Sequence, residues 1–274
     1  MTLVLVVVVK NTKIVVGNNM DKIVGSKTIV YEEVGSTNQI AKELLKTQNV
    51  QDGTIIIANA QTAGKGRIGR DWSSPKDVGI FMSIIVAPKL AINQIPKLTL
   101  ISGLAMCNAL KKVCNQNNIY IKWPNDIIIN DKKICGILCE LVGNNTGQNF
   151  VIIGIGVNVN QESFSNDLPY ASSLYIEYGQ KFSRETIINE FENIFDKMYR
   201  TYLREKNLSP FIDEYVKVCI NTGKEVYVKK NEELEKVTVS RINEEGALEV
   251  IDQEGNLKEI QSGEVSIRGL YGYV

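Results

Sequence analysis

The chain of 274 residues contains no histidine. Ser-His and Cys-His catalysis and histidine-ligated metals are therefore excluded. Any proton transfer falls to lysine, carboxylates, tyrosine or the substrate itself. Net charge is also absent: 31 Lys plus Arg balance 31 Asp plus Glu, so no global field draws nucleic acid, and a cationic site has to be local. Long apolar runs are missing. Residues 3–9, Leu3 to Val9, are apolar but far too short to span a bilayer. Their flanks lack the cationic start and small-residue cleavage site of a secretory signal. That run reads as a buried or edge strand, and the expected location is cytoplasmic. Cysteine is sparse and odd in number, five in all, which argues against a disulfide framework. Cys135 and Cys139 fall in an apolar strand-like run and share one face at period 2. They read as core thiols rather than metal ligands.

What the chain does hold is apolar residues at 44%, enough for a large domain with a small one beside it. Residues 64–72 read Gly64-Lys65-Gly66-Arg67-Ile68-Gly69-Arg70-Asp71-Trp72. Glycine permits close backbone approach to a ligand, and lysine and arginine offer donors to anionic oxygens. The segment suits a phosphate, yet no Gly-Lys-Ser/Thr closes it and the spacing is not Gly-x-Gly-x-x-Gly. The local alternative is a mobile, charged surface turn.

Three further clusters carry polar chemistry. Lys122-Trp123-Pro124-Asn125-Asp126 sets a lysine, an amide and a carboxylate at one sheet edge; an ordinary turn explains all of it except Lys122. That lysine is framed by Ile119, Ile121 and Trp123, and a lysine drawn inward needs an anion nearby. Ser36-Thr37-Asn38 reads either as a helix cap, with Ser36 and Gln39 in the form of a capping box, or as hydroxyls that hold a ligand head group. Gly154-Ile155-Gly156-Val157-Asn158 places glycines inside a strand, marking close approach of a ligand or tight chain packing.

The periodicity gives strands over 28–34, 53–58, 78–86, 119–123, 127–129, 133–142 and 150–159. It gives helices over 94–114, 184–204 and 209–218. Residues 1–27 read as an appendage with one β-rich run. From residue 221 five short strands, 225–229, 235–242, 247–251, 257–261 and 265–268, suggest a small barrel. The boundary is placed near 219–222, giving units over 1–27, 28–219 and 220–274.

Taken in order, these segments resemble a biotin protein ligase. The resemblance rests on Ser36-Thr37-Asn38, Gln61 with Gly64 to Trp72, Lys122 to Asp126, Lys133 to Glu140, Gly154 to Asn158 and Gly263 to Arg268, and covers about 28–269. It implies an α+β fold: a mixed β-sheet with packed helices, like a class II aminoacyl-tRNA synthetase or biotin/lipoate ligase catalytic domain, then a small SH3-like β-barrel. It implies a two-step reaction in which biotin and MgATP form biotinyl-5′-AMP, and biotin passes to a lysine of a biotin carboxyl carrier protein. No resident metal is expected, the Mg2+ arriving with ATP.

The same resemblance assigns roles. Lys122 and Arg67 would be the catalytic cations, on the biotin carboxylate and the α-phosphate. Ser36, Thr37, Asn38, Gln61, Gly64, Lys65, Gly66 and Gly136 would join them in holding biotin. Arg67, Arg70, Trp72, Asn125, Asp126 and Asn158 would serve ATP or the adenylate, with Asn125 and Asp126 near the ribose or magnesium and Trp72 on adenine or bracing the closed loop. Gly136, Gly154 and Gly156 would bring the ligand close to backbone. Lys65 stands where many members carry Arg. Repressing members carry a winged helix-turn-helix, whereas residues 1–27 show no helix pair, so the expectation is a ligase without DNA or membrane binding. A homodimer paired by sheet edges follows as a hypothesis. The alternatives are a lipoate-protein ligase and a biotin-sensing transcriptional repressor.

Overall fold

A computed structural model describes residues 4–9, 12–17, 22–143, 147–230, 233–262, 265–269 and 273. Nine strands form one mixed sheet: β1 (Val4–Val9), β2 (Thr12–Gly17), β3 (Lys27–Val34), β4 (Thr54–Gln61), β5 (Gly79–Val86), β6 (Tyr120–Lys122), β7 (Asp126–Ile129), β8 (Lys132–Gly143) and β9 (Asn149–Asn158). Their spatial order is β1-β2-β3-β4-β5-β9-β8-β7-β6. Only the β3–β4 pair is parallel among the named pairs of this sheet. A parallel pair needs a crossover, and α1 (Thr37–Thr47) supplies it. The apolar run at the N-terminus is an edge strand. It turns back as β2, which the sequence reading missed, and the hairpin extends the sheet beside β3.

The helices fall on opposite faces. α2 (Pro96–Cys114) and α4 (Arg184–Glu205) cover one face with a core that takes Ile55, Met82, Ile84, Ile153 and Ile155. α2 is buried nearly all round, as a central helix should be. α4 is amphipathic, burying Ile187, Phe191, Phe195 and Tyr202. Its buried Asp196 accepts from the backbone N–H groups of Ile23 at 2.8 Å and Val24 at 2.9 Å, which ties the entry to β3 onto the helix. α1 covers part of the other face, over Ile56, Ile85, Phe150 and Ile152. Two short helices complete the set, α3 (Leu174–Tyr178), which the periodicity did not announce, and α5 (Ser209–Val218).

The period of 2 along β9 determines where the site lies. Its odd positions, Val151 to Val157, enter the α2/α4 core. Its even positions run Phe150, Ile152, Gly154, Gly156, Asn158. The first two lie under α1, the glycines are bare, and Asn158 lines a cavity. The open part of that face is the floor of the site.

The C-terminal strands are β10 (Glu225–Lys230), β11 (Glu233–Ile242), β12 (Leu248–Ile251), β13 (Leu257–Ile260) and β14 (Val265–Gly269). The expected barrel is not closed. The order is β13-β12-β11-β10-β14, so β13 and β14 are the two edges of an open antiparallel sheet. The reason lies in β11: residues 233–238 pair with β10, while the part from Thr238 to Ile242 pairs with β12, with a bulge between Val239 and Arg241. A bulge bends the sheet, but with strands of four residues at β12 and β13 it is too short to close. Its inner face, with Val226, Val239 and Leu248, joins the α2/α4 core. No described helix is long and apolar enough to cross a membrane.

Candidate active site

β4 delivers the chain to the glycine-rich segment, which folds as a narrow lasso. Trp72 N–H donates to Gly64 C=O at 2.9 Å and Gly66 N–H to Arg70 C=O at 2.7 Å, with a bridge between Lys65 and Asp71. Gly64 is needed where the two limbs touch, since a Cβ there would meet Trp72 O at 2.6 Å. At the tip Ile68 sits at φ 55°, 69% exposed. Arg67 leaves the tip inward. Its guanidinium donates to Asn125 Oδ1 at 2.8 Å and to the carbonyls of Ser262 at 2.7 Å and Val265 at 3.2 Å. One side chain thus joins the lasso, the β6–β7 turn and the C-terminal sheet.

The lasso lies over β8 and β9. The Trp72 indole rests on Gly136 and Gly156: a Cβ at Gly136 would come within 2.9 Å of the ring, and one at Gly156 would overlap it. Among the described residues its Nε1 is buried without a hydrogen-bond partner. Lys133 Nζ stands 5.3 Å from the Trp72 ring centroid. Gly154 is bare for a related reason, because Asn38 Oδ1 occupies the space a Cβ would take. In this structure the strand glycines thus serve tight packing by two polar-tipped side chains.

Beside them is a small polar network. Thr37 N–H donates to Gln61 Oε1 at 2.9 Å, Gln61 Nε2 to Ser74 Oγ at 2.8 Å, and Asn38 Nδ2 to Glu140 at 2.8 Å. The Ser83 hydroxyl lies 2.7 Å from that of Thr37 and 2.5 Å from Asn38 Oδ1. The capping box expected of Ser36 and Gln39 does not form. Ser36 is the N-cap residue without a side-chain cap bond, and Gln39 bonds Glu43. The first N–H of α1 is met by Gln61 of β4 instead, which leaves no need for the box.

The β6–β7 turn supplies the charges. Its Trp123–Pro124 peptide is cis. Trp123 is buried, its N–H held by Asn221 Oδ1 at 2.9 Å and its Nε1 by Gly246 C=O at 3.2 Å. Asn125 Nδ2 donates to Ile137 C=O at 3.1 Å. Lys122 is 4% exposed. Burial pulls its pKa down to about 7, helped by Arg268, Lys133 and Arg70 and opposed by Asp126. Burial also acts to raise Asp126, but the Lys133 ammonium at 2.6 Å, the Tyr273 hydroxyl and Lys122 outweigh it and hold the carboxyl below its ordinary value.

Two cavities meet here. The larger, about 330 Å³, is lined by Arg70, Lys122, Asp126, Asn158, Tyr170 and Tyr273, among others. The smaller, about 40 Å³, is lined by Ser36, Thr37, Asn38, Gln61, Lys65 and Gly136, among others. Gly66, Arg67, Trp72, Asn125 and Lys133 face both. The sequence-selected residues therefore divide between two adjoining compartments with a cationic seam. Gly64 is the exception, shaping the lasso without lining either. Asp126 spends both oxygens on protein partners, and among the described residues no acidic or cysteine cluster gathers to hold a metal. Lys133, Tyr170, Tyr273, Ser83 and Glu140 were not given roles from the sequence. Lys133 carried a signal, lying three residues before Gly136; Tyr273 carried none. Gly263 and Glu264, part of the closing motif, lie outside the described residues.

Residues 30–158 match the Biotin/lipoate A/B protein ligase family. The bifunctional ligase/repressor BirA of Bacillus spizizenii is 34% identical over 242 residues, covering 87% of this chain and 74% of that protein. The biotin–[acetyl-CoA-carboxylase] ligase of Paracoccus denitrificans is 35% identical over 45% of this chain and 51% of its own. Among solved structures, the biotin protein ligase of Aquifex aeolicus in complex with biotin and ATP superposes with a TM-score of 0.77 at 31% identity, over 88% of this chain and 98% of that one. The chain belongs to the biotin/lipoate protein ligase family, in its biotin protein ligase group.

Proposed function

We propose that this enzyme activates biotin with ATP and transfers it to a lysine of a biotin carboxyl carrier domain, of acetyl-CoA carboxylase or a related carboxylase. The observation that carries the reading is the seam of Arg67 and Lys133 between the two compartments, with Lys122 in the larger one. A carboxylate and a triphosphate repel each other. Cations fixed between their seats offset that repulsion and the charge of the transition state.

In the first step a biotin carboxylate oxygen attacks the α-phosphorus. The Pα–O–Pβ bond breaks, pyrophosphate leaves, and a mixed anhydride, biotinyl-5′-AMP, remains. In the second the carrier amine attacks the acyl carbon, the acyl–O bond breaks, AMP leaves and the amine sheds a proton. No protein nucleophile is required, in keeping with a chain without histidine. Lys122 and Arg67 would hold the carboxylate and α-phosphate oxygens. Ser36, Thr37, Asn38 and Gln61 would form the head-group end of the biotin seat. Arg70, Asn125, Asp126 and Asn158 would serve the nucleotide. Mg2+ enters with ATP as part of the substrate. Trp72, now over Gly136 and Gly156, would shift as biotin enters and then shield the anhydride from water. The reading carries with it a cytoplasmic location, where ATP and the carrier are found.

The test is transfer of labelled biotin to a purified carrier domain with MgATP. Wild type transfers, and Lys122→Ala loses about 100- to 1,000-fold in rate, the usual scale for deleting one transition-state charge partner. Transfer of lipoate to a lipoyl domain, with none of biotin, would overturn the reading.

A further inference from the structure

Lys122 and Asp126 are register partners across the β6–β7 turn, a placement in which opposite charges ordinarily close on each other. Here they stay apart. Asp126 gives one oxygen to Lys133 at 2.6 Å and the other to the Tyr273 hydroxyl. Lys122 donates to the Tyr273 carbonyl, and its ammonium stands 3.5 Å from the centroid of the Tyr273 ring. Tyr273 is itself buried and stacks on Tyr170 at 5.6 Å. A single residue stands between the two charges and holds each by a different group.

We propose that Tyr273 is a positioning residue for the ligase reaction: by holding Lys122 off Asp126 it keeps the lysine's positive charge uncompensated at the wall of the larger cavity, ready for an anionic substrate group. The proposal rests on the function proposed above. A carbonyl dipole and a ring face attract an ammonium without cancelling its charge. A carboxylate would cancel it and would compete with the incoming carboxylate or phosphate. In a dry site such a pair is costly to open, since each partner would be left buried and alone.

Four charged groups surround the Lys122–Asp126 pair: Lys133 on β8, Arg67 and Arg70 on the lasso, and Arg268 on β14. With the Tyr273 side chain gone, only the backbone carbonyl still holds Lys122, and the ring and hydroxyl no longer keep it from closing on Asp126. Its pKa then rises while its availability to substrate falls.

The experiment is kcat/KM for biotin-dependent ATP–pyrophosphate exchange, followed on both sides of about pH 7 in wild type, Tyr273→Phe and Tyr273→Ala. Wild-type activity falls as pH rises through about 7, where Lys122 loses its proton. In Tyr273→Ala that fall moves to higher pH by about one unit or more, the scale of an opposite charge in contact. The plateau below it drops roughly tenfold, the equivalent of one pKa unit. Both variants keep the backbone carbonyl; Tyr273→Phe also keeps the ring over Lys122, and shifts less. A pH limb unmoved in both variants overturns the proposal, because a merely structural role lowers the plateau without moving the limb. A wild type without exchange is a failure of the functional reading, not of this one. An NMR titration of the Lys122 side chain in the three proteins needs no turnover, and shows either the upward shift in Tyr273→Ala or its absence.

Discussion

Lys122 shows what a buried cation costs and where the cost appears. Its folded pKa, about 7, lies below the ordinary lysine value of 10.5. Between those values the unfolded chain holds a proton the folded chain has shed, so unfolding free energy from this group rises with pH across that window and is lowest below about 7. Urea unfolding at several pH values should show this slope in wild type and a flatter one in Lys122→Met. Equal slopes would mean that the lysine is not depressed. The sequence marked this residue because a lysine framed by Ile121 and Trp123 has no reason to be there. Thr37 and Asn38 were marked with Ser36 as a helix cap or as groups for a ligand head, whereas Gln61 was reached only through the family resemblance. Tyr273 was not, since nothing local tells a chain segment that it will reach the β6–β7 turn from 147 positions away.

At the scale of the strand, β9 turns its odd positions into the α2/α4 core, and on its other face the cover of α1 over Phe150 and Ile152 gives way at Gly154 and Gly156 to the candidate site. Gly156→Ala forces a methyl into the Trp72 indole, an overpacking that costs about 1–3 kcal/mol. The cost should largely vanish in a Trp72→Ala background. A double-mutant cycle by chemical denaturation measures this coupling, and additive losses would place the strain elsewhere. The apolar run made β9 readable, and the amphipathic stripe made α4 readable. β2 and α3 were not. β2, with Thr12 and Lys13 before Ile14-Val15-Val16, owes its existence to pairing with β1 and β3, and α3 has only five residues. The barrel expectation failed because strand count and spacing do not reveal how long β11 is shared between two neighbours.

Across the whole molecule, the C-terminal sheet acts as a brace for the β6–β7 turn. Its β11–β12 hairpin supplies Gly246, whose carbonyl holds the Trp123 indole, and Glu245, which pairs with Lys97 of α2 at 2.8 Å. Lys97 is 1% exposed while Glu245 is 63% exposed, so the contact satisfies a buried ammonium with a solvated carboxylate. Glu245→Ala should destabilise by about 1–3 kcal/mol, the penalty for an unpaired buried donor. Glu245→Ala combined with Lys97→Met should recover much of it. Calorimetry or urea unfolding decides, and a neutral Glu245→Ala would show that water replaces the carboxylate.

The contact of Tyr273 with Lys122 also bears on how the protein can be handled. Residue 273 lies at the wall of the larger cavity. A purification tag, fluorescent reporter or surface tether joined close to it would be anchored beside Lys122, the cation assigned to the chemistry in the proposed function. The opposite end, where β1 forms the far margin of the nine-stranded sheet, is separated from Lys122 by the full width of that sheet. It is the better place to attach anything the enzyme is meant to carry.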